Sequence, residues 1–411
     1  MTSTVDVLVI GGGAAGIGAG LRLAAAGVDY LIVEARSRLG GRAWTIEDGS
    51  HIDMGCGWLH SADENPWTDI AAAQGRTIDR TPPPWTRPST TIDLPLDEQE
   101  QFGRAIVDFY DRLHAARDEP DRAASSLLKP GGRWNTLINA VSTYINGAEL
   151  DRVSIHDFAR YRDTEVNWRV TDGYGAVIAS AGAGLRVMAY CPVSYIDHSG
   201  ELIAVHTASG IITARRVIVT VSSALLAEER LRFVPALPAK VEAASSLPLG
   251  LANKLYLSLE GAEEFEADSR VFGHAREVGT AAYHMRPFGR PMIEAYFGGR
   301  LADDLEGEGR RAFVDFAESE LNGLLGSSFS SRIKPVRLSQ WRKDEFARGS
   351  YSYAIPGHHA DRAALAAPVD NRIFFAGEAC SPESFSTAHG ADDTGVIAAG
   401  QALAALGRSV S

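Results

Sequence analysis

The fold of this chain is decided by the stretch Val5-Asp-Val-Leu-Val-Ile-Gly-Gly-Gly-Ala-Ala-Gly16. The apolar run over residues 5–10 predicts a buried strand, and the glycines that follow predict a tight turn into a helix. That helix should end at Gly27, and a second buried strand follows at Tyr30-Leu-Ile-Val33. A strand, a helix and a strand in this order predict a parallel sheet with helices on its faces.

Three glycines of the turn have the spacing of a dinucleotide-binding motif. Gly11 permits the tight turn, Gly13 lets a pyrophosphate approach the backbone, and Gly16 lets the helix pack close to the strand. The phosphates would lie on the N–H groups at the positive end of the helix. Glu34 ends the next strand, where a carboxylate accepts hydrogen bonds from ribose hydroxyl groups. The alternative, a glycine turn without a ligand, does not account for the strand–helix–strand–Glu context.

Composition sets the broad class of the protein. With 411 residues, two or three domains are expected, and 45% apolar and 22% charged residues are typical of a soluble globular chain. A net charge of −12 argues against a nucleic-acid partner. Three widely separated cysteines argue against a disulfide framework or a zinc site. No stretch resembles a signal peptide or a membrane span, so we expect a cytoplasmic protein without a membrane partner.

The remaining sequence changes character along its length. Pro82-Pro-Pro84 suggests a crossing into a second domain, and residues 96–165 are expected to be mostly helical. Short strands separated by turns follow from about residue 185. Residues 255–259 alternate as a half-exposed strand does, a helix is predicted over 309–325, and a strand over 373–375 precedes a terminal helix.

The segment after the second strand, Val33-Glu-Ala-Arg-x-Arg-x-Gly-Gly-Arg42, resembles the signature of the flavin amine oxidase superfamily. The resemblance implies FAD as the cofactor and an α/β fold. In that fold a Rossmann-like FAD-binding domain of the glutathione-reductase type is combined with an interleaved α+β substrate domain. We expect the FAD-binding domain at 1–80, 170–258 and 341–411. The substrate domain, with a helical insertion, is expected at 81–169 and 259–340.

Later segments extend the resemblance to the flavin ring. Gly57 and Trp58 resemble the family segment beside the pyrimidine edge, and Val193 the strand that meets the adenine. Lys254 falls on a family lysine that holds a water at flavin N5; the alternative is a strand-end lysine that extends to solvent. Because burial of a lysine is costly, replacing Lys254 with methionine is expected to leave stability unchanged or slightly higher.

The resemblance also implies part of an aromatic cage in front of the flavin. Tyr351 falls on one cage tyrosine, whereas the position of the second cage aromatic falls on Thr387. An aromatic side chain from elsewhere, or a larger substrate, would have to fill the gap. Some family members attach FAD through a cysteine that precedes the cage tyrosine; Ser350 stands there, so non-covalent FAD is expected.

Residue by residue, the resemblance assigns Lys254 and Tyr351 to catalysis. It implies no metal site. The cofactor-binding residues that it implies are Gly11, Gly13, Ala14, Ala15, Gly16, Glu34, Ala35, Arg36, Gly41, Arg42, Gly57, Trp58, Val193, Trp341, Gly377, Glu378, Thr387, Ala388, His389, Gly390 and Ala391.

The function expected from the resemblance is oxidation of an amine. A hydride equivalent would pass from the amine carbon to flavin N5, the imine would hydrolyse, and dioxygen or another acceptor would reoxidise the flavin, with H2O2 as the product from dioxygen. Two alternatives remain open at this point: a desaturase or other C–C oxidoreductase of the same fold, and a non-catalytic FAD-binding protein. Which amine is oxidised, and whether the protein forms a homodimer, also remain open.

Overall fold

The structure is a computed structural model that describes residues 4–87 and 90–408. Across these residues, no helix combines the length and the apolar character that crossing a membrane requires.

The described part of the chain is rich in both strands and helices. In chain order the strands are β1 Thr4–Ile10, β2 Tyr30–Val33, β3 Thr45–Glu47, β4 His51–Asp53, β5 Ile78–Asp79, β6 Arg169–Val170, β7 Val187–Met188, β8 Val193–Asp197, β9 Ile203–Thr207, β10 Gly210–Val219, β11 Arg232–Val234, β12 Ala252–Leu259, β13 Ser269–Phe272, β14 Ala282–Met285, β15 Met292–Gly298, β16 Ile333–Leu338 and β17 Ile373–Phe375. The α-helices are α1 Ala14–Ala25, α2 Pro66–Ala73, α3 Leu96–Ala115, α4 Asn135–Ile145, α5 Ile155–Phe158, α6 Tyr174–Ala181, α7 Ser223–Ala227, α8 Pro238–Ser245, α9 Gly299–Glu308, α10 Arg310–Leu325, α11 Asp361–Ala366 and α12 Ala388–Ala405.

The first sheet is built around β1 and β10. Strands β17, β10, β1, β2 and β7 pair in parallel, while the first half of β10 pairs antiparallel with β9, which pairs with β8. Successive residues of β1 point to opposite faces: Val7 and Val9 lie in one apolar core, Leu8 and Ile10 in another. A parallel sheet with a core on each face confirms the predicted α/β class.

The second sheet is antiparallel, in the order β13-β14-β15-β12-β16. Strand β12, which lies between β15 and β16, contributes Leu255 and Leu257 to a core that α9 and α10 close with Ala302 and Phe313. The prediction that this strand is half-exposed is wrong, because its other face is also covered: the Tyr256 hydroxyl donates to the Asp53 carbonyl oxygen.

The observed elements also bear on the predicted helix over 309–325 and on the predicted domain boundaries. The predicted helix over 309–325 is confirmed as α10, but α9, directly before it, was not predicted; Gly309, at φ +111°, separates the two. The domain boundaries stay a prediction. The proposed boundary at 258 falls inside β12, whose strand partners both belong to the second sheet.

Candidate active site

Two glycines of the turn at the start of α1 are packed too closely against their surroundings to carry a side chain. At Gly11, where φ is +107°, a Cβ atom would lie 2.6 Å from the Thr220 hydroxyl; at Gly16 it would lie 1.9 Å from the Gly11 carbonyl oxygen. Gly13 is the N-cap of α1 and, like any glycine, offers no side chain to the first N–H groups of the helix, which include those of Ala14 and Ala15. This end of the helix is therefore suited to an anionic ligand.

A second backbone turn approaches the first. Gly13 and Gly40 form a parallel bridge, and a Cβ atom on Gly41 would lie 3.2 Å from the Gly13 Cα atom. A Cβ atom on Gly13 itself would meet nothing closer than 3.9 Å. The two turns thus leave a bare backbone cradle, which is what close approach of a pyrophosphate requires.

Glu34 is buried beside this cradle. Its carboxylate accepts hydrogen bonds from the N–H of Gly12 at 2.7 Å and of Arg36 at 2.8 Å. Its own carbonyl oxygen accepts the N–H of Cys191 at 2.8 Å, which brings the segment before Val193 next to the turn. The predicted adenosine-side residues, including Ala35 between Glu34 and Arg36, therefore lie together at the carboxyl end of β2.

Arg42 joins the N-terminal turn to the C-terminal part of the chain. Its Nη1 atom donates to Glu378 Oε1 at 2.9 Å and to the Ser350 carbonyl oxygen at 2.7 Å. Burial raises the pKa of Glu378, but Arg42, the Ser352 hydroxyl and Arg362 outweigh it, and the pKa is lowered overall. Glu378 is thus an ionised, buried acceptor, and Gly377 before it has φ +142°.

The N-terminus of α12 faces this region. Thr387 is the N-cap: its hydroxyl accepts the N–H of Gly390 at 3.0 Å. His389 is buried, and burial, followed by the charge of His60, lowers its pKa to about 4, so the imidazole is neutral. Further along, α12 packs closely on α1, since a Cβ atom on Gly395 would lie 2.0 Å from the Ala15 carbonyl oxygen. Ala388 and Ala391 belong to the same first turn.

One face of the second sheet carries polar side chains. Antiparallel pairing sets Lys254 opposite Tyr296, and Tyr256 opposite Glu294. Because strand residues alternate between faces, these four side chains share the face that the leucines of β12 leave. His284 of β14 pairs with Glu294 and joins them.

Lys254 is buried and paired on this face. Its Nζ atom lies 3.0 Å from Glu294 Oε1 and donates to the Asp53 carbonyl oxygen at 3.1 Å. Burial lowers the pKa of Lys254, but Glu294, Tyr296 and Asp53 outweigh it and raise the pKa overall. Burial likewise raises the pKa of Glu294, and Lys254 reverses this to a net lowering. Both groups are therefore charged at neutral pH.

Gly57 leaves room next to this ammonium. A Cβ atom built on Gly57 would lie 3.3 Å from Lys254 Nζ. An ammonium has three N–H donors, and the contacts with Glu294 and Asp53 use two of them. The third is available to a water or a ligand on the Gly57 side.

Tyr351 takes part in a directional hydrogen-bond chain. Its hydroxyl donates to the Tyr144 carbonyl oxygen, which can only accept. The Tyr296 hydroxyl, 3.1 Å from that of Tyr351, must therefore be the donor between them. Burial, then the neighbouring tyrosine, raises the pKa of Tyr351 well above its ordinary value, so it stays a neutral phenol. Its oxygen retains one lone pair for a ligand.

Two predicted tryptophans occupy different surroundings. Trp58 has the Arg169 guanidinium 4.9 Å from its ring centroid and Trp85 edge-on at 4.5 Å. Trp341 is buried and packs edge-on against Trp44, and its backbone N–H donates to Asn253 Oδ1 at 3.1 Å. Trp341 therefore also has a packing role in the core of the second sheet.

The sequence prediction missed several residues of this site: Glu294, Tyr296, Tyr144 and Asp53. Three of them lie on segments to which no motif was assigned, and no role was predicted for Asp53. The one available signal was the alternation in Met292-Ile-Glu-Ala-Tyr296, which places a carboxylate and a phenol on one strand face. The register that sets this face against Lys254 is a long-range pairing, which the sequence did not reveal.

The residues present fit a flavin dinucleotide. The bare glycine cradle, the uncapped helix N-terminus and the buried Glu34 suit the pyrophosphate and ribose of an adenosine half. Arg42 and Glu378 supply a cation and an acceptor further along, and Lys254 supplies a donor at the end towards Tyr351.

Similarity to known proteins agrees with this fit. The sequence pattern of the family described as flavin containing amine oxidoreductase matches residues 14–77 and 96–403. The chain is 29% identical to Polyamine oxidase 2 of Arabidopsis thaliana, over 97% of this chain and 88% of that protein. It is 27% identical to Polyamine oxidase 4 of Oryza sativa subsp. japonica, over 97% and 88%. A solved triple mutant of putrescine oxidase with redesigned cofactor binding superposes with a TM-score of 0.77 at 20% identity, covering 98% of this chain and 100% of that one.

The chain therefore belongs to the family of flavin-containing amine oxidoreductases. It is an FAD-dependent amine oxidase, and the predicted fold class, cofactor and reaction class are confirmed. Family membership supports amine oxidation over the two alternatives, C–C desaturation and FAD binding without catalysis.

Proposed function

We propose that this enzyme oxidises a diamine or polyamine in the space between the polar face of the second sheet and Tyr351. Lys254 and Tyr351 are the catalytic residues, and Glu294 and Tyr296 position them. This proposal rests on the arrangement of these four side chains. The buried Lys254–Glu294 ion pair and the Tyr296–Tyr351 hydrogen bond lie next to each other at the polar face of the second sheet.

The cofactor is held along the line of glycine turns. The N–H groups at the start of α1 would bind the pyrophosphate, Glu34 the adenosine ribose, and Arg42 and Glu378 the part of the cofactor towards Ser350. When bound, FAD supplies the acceptor for the hydride of the amine carbon, and dioxygen accepts the electrons afterwards. The first turn of α12 would present its positive end, with the neutral His389, to negative charge on the bound cofactor.

Lys254 provides a fixed positive charge close to the reacting atoms. Glu294 and Asp53 hold its ammonium in one orientation, so its third donor is aimed without rotational freedom. That donor would hold a water on the Gly57 side. A preorganised charge of this kind stabilises negative charge that develops during a reaction without reorganising at that moment.

Tyr351 orients the amine by accepting a hydrogen bond. Its proton is committed to the Tyr144 carbonyl, so the phenol oxygen can only accept from an amine N–H. The substrate amine is therefore bound with an N–H towards Tyr351 and its nitrogen lone pair free. Tyr296, from the second sheet, serves as the second aromatic beside Tyr351. Thr387, at the family position of that aromatic, caps α12 instead.

Two observations support a diamine or polyamine substrate: the names of the similar proteins and the net charge of this chain. The similar proteins named above are polyamine and putrescine oxidases. The protein carries a net charge of −12, which favours the approach of a polycation.

The test is anaerobic reduction of the purified yellow holoenzyme by a panel of amines. Putrescine and spermidine are expected to bleach the flavin rapidly, with butylamine at least about tenfold slower because it lacks the second charge. Equal rates for butylamine and putrescine would reject the diamine proposal while leaving amine oxidation in place. Bleaching by no amine would reject the catalytic assignment itself.

A further inference from the structure

We propose that Asp121, His156 and His359 form a binding site for one divalent transition-metal ion. The three residues lie outside the site described above and come from three separate segments of the chain. One ligand atom of each lies within 4.8 Å of the other two. The proposal is independent of the amine that the enzyme oxidises.

The three segments are fixed to one another by backbone hydrogen bonds. The N–H of Ser154 donates to the Ala354 carbonyl at 2.9 Å, and the N–H of Ile155 to the Arg122 carbonyl at 3.0 Å. His156 lies in α5 directly after these contacts. The candidate ligands are therefore carried on backbone that is already held together, rather than on three independent loops.

The protonation of His156 suits metal binding. Its Nε2 atom lies 2.5 Å from the Glu119 carbonyl oxygen, which can only accept, so Nε2 carries the proton. In the neutral ring, Nδ1 then presents a free lone pair. A hydrogen bond from one ring nitrogen to a backbone carbonyl is the arrangement that orients metal-bound histidines in proteins.

Both histidines have an unused nitrogen in this cluster. The Nδ1 atoms of His156 and His359 are buried, and neither has a hydrogen-bond partner among residues 4–87 and 90–408. The two rings meet edge to face with centroids 4.9 Å apart. A buried nitrogen without a partner is unfavourable, and two of them beside a carboxylate are satisfied together by one cation.

Asp121 is held in position for a third ligand. Its Oδ2 atom accepts the Ser154 hydroxyl at 2.7 Å and the N–H of Gly357 at 2.6 Å, whereas Oδ1 accepts the N–H of His156 at 3.1 Å. Oδ1 therefore has one hydrogen bond and a further lone pair. Hydrogen-bonded carboxylates that supply one free lone pair are ordinary metal ligands.

The donor set selects the kind of ion. Two imidazoles and one carboxylate favour zinc or another late first-row ion over Ca²⁺ or Mg²⁺, which prefer oxygen ligands. Ligand atoms around tetrahedral zinc lie about 3.3 Å apart. The side chains would have to close by up to about 1.5 Å from the separation of 4.8 Å. Water would complete the coordination, as at three-ligand zinc sites.

A metal ion at this position would cross-link α5 to the segment after Tyr353. That segment follows the strand-like stretch that carries Tyr351, and the same junction includes the Ser154–Ala354 contact. Binding to the folded state alone would therefore stabilise this junction.

The test uses the holoenzyme, stripped with EDTA and titrated with Zn²⁺ against a fluorescent zinc indicator. One equivalent is expected to bind, and His156→Gln and His359→Gln should each weaken binding at least about tenfold. His358→Gln is the matched control, because His358 pairs with Asp361 at 2.8 Å and lies next to the cluster. Flavin content equal to that of the wild type verifies the fold of each variant.

Thermal unfolding gives the second readout. Zn²⁺ should raise the Tm of the wild type and of His358→Gln, but not that of His156→Gln or His359→Gln. Equal binding by the wild type and both cluster variants, or no binding by the wild type, would overturn the proposal. Loss in only one of the two variants would overturn the three-ligand assignment.

Discussion

The Tyr296 hydroxyl donates to the Tyr351 hydroxyl across 3.1 Å, joining the second sheet to the segment that follows Ser350. Since Tyr351 in turn donates to the Tyr144 carbonyl, its phenol oxygen can only accept from any further partner. This direction follows from the carbonyl alone and determines what Tyr351 can do to an amine.

Replacing Tyr351 with phenylalanine should slow anaerobic flavin reduction by roughly fivefold, since a hydrogen bond of about 1 kcal/mol is lost. Tyr296→Phe should slow it less, because Tyr351 keeps its own donor bond. Tyr353→Phe is the control: its buried hydroxyl has no partner within the described residues, so its loss should leave the rate unchanged. Equal rates for Tyr351→Phe and Tyr353→Phe would remove Tyr351 from catalysis.

The Lys254–Glu294 ion pair reverses the effect on stability that the sequence predicts for Lys254→Met. Lys254→Met leaves a buried carboxylate unpaired, so it should destabilise the fold by about 3 kcal/mol rather than leave stability unchanged or higher. Glu294→Gln should cost a similar amount, and the double variant should recover most of the loss. Urea unfolding of the four proteins measures this cycle. Additive losses in the double variant would show that the pair is not coupled.

The effect of Glu294→Gln should also depend on pH. The folded pKa of Glu294 lies below its ordinary value of 4.5, so the ionised carboxylate contributes stability that is fully present above that value. The contribution is lost as the pH falls through the folded pKa. The Tm difference between wild type and Glu294→Gln should therefore be constant from pH 7 to about 5 and shrink below about 4. A difference that stays the same at low pH would contradict an ionised Glu294.

The cofactor should be released by acid precipitation. Ser350 has no thiol, and its hydroxyl is bonded to the backbone of Ala252 at 2.9 Å in both directions. Flavin is therefore expected in the supernatant, where chromatography should identify FAD. Yellow colour that stays in the pellet would reveal a covalent attachment at another residue, and released FMN would contradict the role given to Glu34.

The parts of the site that could be predicted are those encoded locally. The contact of Gly16 with Gly11 and the acceptor at Glu34 lie within one strand–helix–strand unit, and short-range spacing reveals them. Glu294 and Tyr296 reach the site only through antiparallel register with the strand of Lys254. Such pairings join residues about 40 positions apart, and single-sequence periodicity carries no information on them.

Two other departures have local causes. β12 appeared half-exposed because its alternating pattern is that of a strand with one solvated face. Here the polar face is covered by Asp53 and its neighbours, so the alternation separates an apolar core from a buried polar site. Helix α9, before Gly309, was not predicted, since its acidic stretch is equally compatible with a loop.

Lys254 is proposed to supply positive charge to the flavin site, and the two half-reactions of Lys254→Met measure that contribution. Stopped-flow traces should show reoxidation by dioxygen slowed at least about tenfold, because the cation that stabilises the charge developing on dioxygen is gone. Amine-driven reduction should change less. Lys240→Met is the matched control, since Lys240 is also buried but donates to carbonyl oxygens at the end of α11. Its reoxidation should equal that of the wild type. Unchanged reoxidation in Lys254→Met, with full flavin content, would contradict the account.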